Sequence, residues 1–210
     1  MAVSRSSCAV VGLVLTTLVN GCATFPDGRV ADVDQVQVRG LAEKPSVYVL
    51  PAFESEQGTV EPMQGWFKNA VRTATNAANL FGEVSYDAYR ARDMDYIVKL
   101  EMNNHASPFA AVGAALIVGL TVFIVPAYAT DHYTLRALVV DQNDTELDSF
   151  KLESYVRYWF GIWLLPFVGK SPWTEVPEHM ERMVLNAYQH FASGGVFTGR
   201  PKPDVSRQDD

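Results

Sequence analysis

Hydrophobic and polar residues are sorted along this 210-residue chain with a period that changes from stretch to stretch. Ser46-Val47-Tyr48-Val49-Leu50 is a β-rich run closed by Pro51 and reads as a strand. From Glu61 the period lengthens. Met63, Trp66, Phe67, Ala70, Val71, Ala74, Ala77 and Ala78 recur at i, i+3, i+4 and i+7, with Lys68, Arg72, Asn76 and Asn79 opposite. Glu61 and Pro62 suit a first helical turn and Gly82 a stop. This stripe is expected to pack on a sheet. Glu83-Val84-Ser85-Tyr86 and Asp95 to Met102 read as two more strands, the second with Tyr96, Val98 and Leu100 on one side. Residues 133–141 and 145–156 form a hairpin around Gln142-Asn143-Asp144 that extends the sheet. Its apolar face, Leu147, Phe150, Leu152 and Tyr155, slips once near Ser149, which implies a bulge. A last helix runs from Val176 to Phe191, opened by Pro177 and Glu178, lined by Met180, Met183, Val184 and Ala187, and stopped by Gly194-Gly195.

Two blocks break the alternation. No charge appears between His105 and Asp131, and Phe109 to Ala129 reads FAAVGAALIVGLTVFIVPAYA. As a helix to Val125 it would reach about 26 Å, slightly short of the roughly 30 Å hydrocarbon core, and Pro126 would end or kink it. The second block, residues 158–169, carries Trp159, Trp163 and Tyr158 between Arg157 and Lys170, a composition that suits a membrane interface. The alternative is that both blocks pack against each other inside a soluble domain. Membrane contact is the expectation adopted, as a re-entrant or surface-inserted hairpin rather than a full span, with Leu116, Ile117, Leu120, Phe123, Trp159 and Trp163 as contact candidates. The expected fold class is α+β: a small mixed sheet with one amphipathic helix packed on it, a C-terminal helix, and an apolar membrane-associated helical segment inserted before a β-hairpin.

The N-terminus reads as an address. Arg5 precedes twelve uncharged residues, Cys8 to Val19, too few to span a bilayer but right for the apolar core of a secretory signal. Val19-Asn20-Gly21-Cys22 follows. This stretch resembles the lipobox of bacterial lipoproteins, with Val19 at −3, Gly21 at −1 and Asn20 departing from the usual small residue at −2. The resemblance implies cleavage between Gly21 and Cys22, acylation of Cys22, and, with Ala23 next, passage to the outer membrane facing the periplasm; the inner membrane is the alternative. Two or three acyl chains anchor stably where one binds only marginally. The organisation expected is a signal peptide over 1–21, a tether over 22–45 with a short strand near Val36-Gln37-Val38, one α/β domain over 46–192 holding the apolar insert 106–130 and the block 158–169, and a disordered tail over 193–210.

The strand–helix–strand–strand order of residues 46–102, with VYVLPAF, the amphipathic helix, LFGEVSY and DMDYIVKLEM, resembles the small α/β module at the N-terminus of TolB, also found in the curli-secretion lipoprotein CsgG. The second half, with IVPAYATDHYTL, VVDQNDTEL and FGIWLLPF, resembles a group of uncharacterised bacterial envelope lipoproteins. These likenesses imply an interaction module and supply no reaction.

Composition narrows the function further. Net charge is −7, and no basic patch of the kind that binds nucleic acid is evident. His105, His132, His179 and His190 include no H-x-x-x-H pair, and the phosphate-loop, dinucleotide and nucleophile-elbow motifs are absent. Asp131-His132 reads as a surface pair, and Asp93/Asp95 and Asp144/Glu146 as solvated turn acids. No catalytic, cofactor-binding or metal residue is assigned. The expected function is a non-enzymatic assembly, scaffolding or interaction component of the cell envelope, in a transport, secretion or surface-polymer system. Its partners would be membrane lipid through acylated Cys22 and another envelope protein or further copies of itself. An oligomeric pore-forming or channel-lining subunit, and a hydrolase with an unrecognised site, are the rivals.

Overall fold

The computed structural model describes residues 22–33, 36, 44–56, 61–106, 108–121, 124–167 and 169–197. The signal peptide, the strand near Val36-Gln37-Val38, Phe123 and residues 198–210 of the tail lie outside this range, Val36 excepted. Six strands and three α-helices are described: β1 (Cys22–Pro26), β2 (Ser46–Ser55), α1 (Glu61–Ala78), β3 (Glu83–Ser85), β4 (Tyr96–Ala106), α2 (Pro108–Leu120), β5 (Ala127–Val140), β6 (Glu146–Phe160) and α3 (Pro172–Ser193). The sheet order is β1-β6-β5-β4-β2-β3. β2 runs parallel to β3 and β4, and β1 antiparallel to β6. The fold is therefore mixed α/β, with the expected strand–helix–strand–strand order over residues 46–102. Contacts divide the chain into two compact units, with β5 and β6 contributing to both.

One unit, here the core unit, comprises residues 28–104, 133–154 and 177–210. β4 buries Tyr96, Val98, Leu100 and Met102 in strict alternation. α1 buries Phe67, Ala70, Val71, Ala74, Thr75 and Ala78. Ala77, expected in that stripe, is exposed, and Thr75 takes the inner place. Its hydroxyl satisfies itself against Val71 O at 2.7 Å and Tyr188 Oη at 2.8 Å. The helix stops at Asn79, whose φ of 52° is left-handed, rather than at Gly82. α3 adds Met180, Met183, Val184, Ala187, Tyr188 and Phe191 to this core.

Four expectations are corrected here. Pro51 does not close β2, which continues to Ser55 in register with Asn104. β3 pairs only Ser46 to Tyr48, so beyond that point β2 is an edge, where a residue without an N–H is tolerated. β6 shows no slip: Asp148, Phe150, Leu152, Ser154 and Val156 turn inward in unbroken alternation, and Tyr155 lies on the other face. α3 begins at Pro172, not Val176, because Ser171 caps it by accepting the Glu175 N–H at 3.0 Å and Pro172 fits the first helical position. Phe197, assigned from sequence to the tail, is buried among Phe81, Tyr96 and Phe191.

The other unit, here the apolar unit, comprises residues 1–27, 105–132 and 155–176. Cys22–Pro26, expected as tether, is a strand that pairs from Cys22 with Phe160 to Pro26 with Val156. Thr24 N–H donates to Lys170 O at 2.8 Å and Asp27 N–H to Tyr155 O at 2.9 Å. The apolar insert is a 13-residue helix, α2, about 20 Å long at 1.5 Å per residue. Among the described residues no helix is long and apolar enough to cross a membrane. The longer helix fails for local reasons. The Thr121 N–H still makes a helical bond to Ile117 O at 3.0 Å, but its hydroxyl donates to the same carbonyl at 2.7 Å and the chain then tightens, with the Ile124 N–H on Thr121 O at 3.0 Å. Pro126 biases Val125 away from helical backbone, and the rest of the block starts β5 at Ala127.

Candidate functional site

α2 has no polar face, so whatever it does not pack must point outward. Among its described side chains, Ala114 and Val118 turn inward and pack with Ala127 and, less fully, Phe160. Val112, Leu116, Ile117 and Leu120 are exposed, Leu120 to 84%. Ile124, Val125 and Tyr128 follow on the segment leading into β5, and Ile162, Trp163, Phe167 and Trp173 on the segment after β6, with Trp163 exposed to 68% and Trp173 to 71%. The Trp163 indole N–H donates to Ile124 O at 2.9 Å and joins the two segments. The core unit, by contrast, contributes only Leu50, Tyr89 and Leu147 to the large exposed apolar side chains of the described residues. Concentration on this scale marks an interaction surface rather than the scattered exposure ordinary proteins tolerate.

Of the contact candidates, Leu116, Ile117, Leu120 and Trp163 lie on this surface and Phe123 is outside the described residues. Trp159 is half-buried and stacks on Tyr128 with ring centroids 5.0 Å apart. Cys22 is half-buried at the start of β1, opposite Phe160. Burial pushes its thiol pKa up, so a free Cys22 would be a weak nucleophile at neutral pH.

The same unit holds a cavity of about 460 Å³ lined by Phe25, Pro26, Tyr155, Arg157, Trp159 and Leu164. Alternation along β6 sets Tyr155, Arg157 and Trp159 on one face, and β1 brings Phe25 opposite Arg157. The Arg157 guanidinium carbon lies 5.3 Å from the Tyr128 ring centroid and 5.4 Å from that of Tyr155. Lys170 Nζ lies 5.5 Å from the Phe25 centroid, and Phe167 meets the Phe25 ring edge-on at 5.9 Å. Sequence reasoning used Arg157 and Lys170 only as flanks of the second block and missed this cluster. The signal present was the two-residue spacing of Tyr155, Arg157 and Trp159.

The core unit also holds a cavity, of about 500 Å³, lined by Lys99, Glu101, Arg136, Glu146, Ser149 and Lys151 among others. His132 is exposed beside the Tyr155 ring at 6.3 Å, and His105 is exposed. His190 stacks on Phe150 and reaches Asp148 at 3.4 Å. His179 Nε2 and Ser154 Oγ share a buried 2.7 Å hydrogen bond. Among the described residues no three His, Cys, Asp or Glu side chains gather as a metal site would require.

No protein-family model and no curated protein matches the chain. Solved structures with some similarity include a minor lipoprotein of Acinetobacter baumannii, 7% identical over 76% of this chain and 98% of that one, with a TM-score of 0.44. A neuraminyllactose-binding hemagglutinin homologue from Helicobacter pylori is 10% identical over 79% and 89%, TM-score 0.43. A PelC dodecamer from Paraburkholderia phytofirmans is 9% identical over 78% and 96%, TM-score 0.36. Likeness at this level carries no functional conclusion.

Proposed function

We propose that this chain is a lipid-anchored, non-enzymatic protein of a bacterial envelope, held through acylated Cys22 and resting on the bilayer by the exposed apolar surface of its apolar unit. The observation that carries the reading is that this surface and Cys22 belong to one compact unit, while among the described residues the core unit exposes only Leu50, Tyr89 and Leu147 of its large apolar side chains. α2 would lie along the interface, its uncovered side in the acyl boundary, with Trp163 and Trp173 at the headgroup level where indoles are favoured. A helix satisfies its own backbone in that setting. The core unit would remain in the periplasm as the part that meets a protein partner or further copies of the chain in an assembly, with the outer membrane as its site.

Fractionation of cells expressing the native chain and Cys22→Ser, with mass spectrometry of the N-terminal peptide, tests this. The expected result is a native chain in the membrane fraction whose first residue is a diacylglyceryl-modified Cys22. Cys22→Ser is expected to keep a weaker, salt-resistant association through the apolar surface. A native protein carrying a free Cys22 thiol would refute the anchor.

A further inference from the structure

We propose that the Arg157 cavity binds the phosphate of an anionic phospholipid headgroup. This rests on the apolar unit being the membrane-facing part of the chain and deepens that reading by naming a lipid class.

Arg157 is a half-buried cation on the wall of an apolar cavity. Tyr128 and Tyr155 hold it through cation–π contact. Ring contact satisfies none of its N–H donors, which lie in the plane of the guanidinium. Its Nε is buried with no hydrogen-bond partner among the described residues, and no carboxylate among them pairs with it. A buried donor without a partner is costly, so a ligand that supplies one is strongly favoured there. The in-plane fork of a guanidinium matches two oxygens of a phosphate.

The walls define the rest of the ligand. Phe25, Pro26, Trp159 and Leu164 are apolar, and they line the cavity beside the charge. That pairing suits an amphiphile whose charged group is an oxyanion and whose neighbouring atoms are glycerol and acyl chain. Lys170 beside Phe25 adds a second cation. The chain as a whole carries −7, so contact with an anionic bilayer needs a local positive site to offset general repulsion. A free phosphate offers the same oxyanion without the apolar part, and the two sources separate by experiment.

Isothermal titration of the mature acylated protein in neutral detergent micelles tests the site, using short-chain phosphatidylglycerol, short-chain phosphatidylcholine and inorganic phosphate. Phosphatidylglycerol is expected to bind saturably at one site, with the other two at least about tenfold weaker. Arg157→Gln should weaken phosphatidylglycerol about 10- to 100-fold, as expected for a lost charge-assisted pair, and Arg157→Lys by less. Arg136→Gln, exposed in the core unit, should leave binding unchanged. Lys170→Gln, at an exposed position, keeps the test open if Arg157→Gln fails to fold, with an expected loss of about threefold. Equal affinity for inorganic phosphate would overturn the lipid assignment. No saturable binding, or native affinity in Arg157→Gln, would overturn the site. A protein found acylated at Cys22 that fails this titration loses the headgroup site and keeps the anchor; one that binds phosphatidylglycerol but carries a free Cys22 keeps the site and loses the anchor.

Discussion

The two units obey the same rules of burial and reach opposite results. In the core unit each apolar stripe meets another: β4 alternates, α1 and α3 present one side each, and Tyr188, Phe191 and Phe197 close the gaps. Thr75, buried there, shares a hydrogen bond with Tyr188. Burial holds the Tyr188 phenol pKa far above its usual range against the lowering effect of that bond. In the apolar unit, α2 is apolar all round but among its described side chains buries only Ala114 and Val118, and Arg157 is flanked by rings rather than by an acid. An exposed apolar patch of this kind calls for something to cover it, and in the reading proposed above that is the bilayer. The contrast is the physical basis for assigning separate roles to the two units.

The sharpest way to break it is to exchange deletions between the units. Leu135→Ala, at a fully buried core-unit position, should cost about 2–5 kcal/mol in urea unfolding. Leu120→Ala should change stability by no more than about 0.5 kcal/mol. A comparable loss at both would mean that α2 is packed in solution and the contrast false. Membrane affinity should reverse the ranking. Leu116→Asp with Leu120→Asp should reduce vesicle binding of Cys22→Ser protein at least about tenfold, since each removes an apolar side chain worth about 1.5–3 kcal/mol when buried. Leu135→Ala, in whatever fraction stays folded, should bind as before.

Smaller effects sharpen the picture of the core unit. Asp95 accepts from both the N–H and the hydroxyl of Ser46, each at 2.8 Å, where β2 and β4 begin. Asp95→Ala should cost about 1–3 kcal/mol by leaving those donors unmet, read by thermal melting. The hairpin turn holds a weaker device. Slight burial raises the Asp141 pKa, but hydrogen bonds from Asn143 and Thr145 outweigh it and hold the carboxyl below its ordinary range. A carboxyl depressed in the folded state stabilises above its unfolded value, about pH 4, and that contribution fades as pH falls through the lower folded value. Asp141→Ala should therefore cost about 1 kcal/mol at pH 7 and almost nothing near pH 2, checked by urea titrations at both.

Legibility in the sequence follows the same division. Tyr96, Val98 and Leu100 alternate, and Phe67, Ala70, Val71 and Ala74 recur at helical spacing, because both faces of those elements differ; the period is visible before any fold is known. Thr75 and Asn79 escaped because a hydroxyl partner 113 residues away and a left-handed φ leave no local pattern. The apolar unit was harder. Where every residue from Phe109 to Ala129 is uncharged, period carries little information, so the start of β5 at Ala127, ahead of the strand read from Tyr133, was hidden in the end of the apolar run. β1 was missed because CATFP has no alternation of its own and is defined by its partner, residues 156–160 of β6. The Arg157 cluster needed that pairing too, since Phe25 arrives from β1.

Photo-crosslinking tests the membrane-facing assignment most directly. The acylated chain would be reconstituted in vesicles bearing a photoactivatable acyl chain, irradiated, and its lipid-modified peptides sequenced by mass spectrometry. The expected adducts fall within residues 112–128 and 159–173, with none at Leu50, Tyr89 or Leu147. Adducts spread evenly over both units, or confined to the N-terminal peptide, would contradict it.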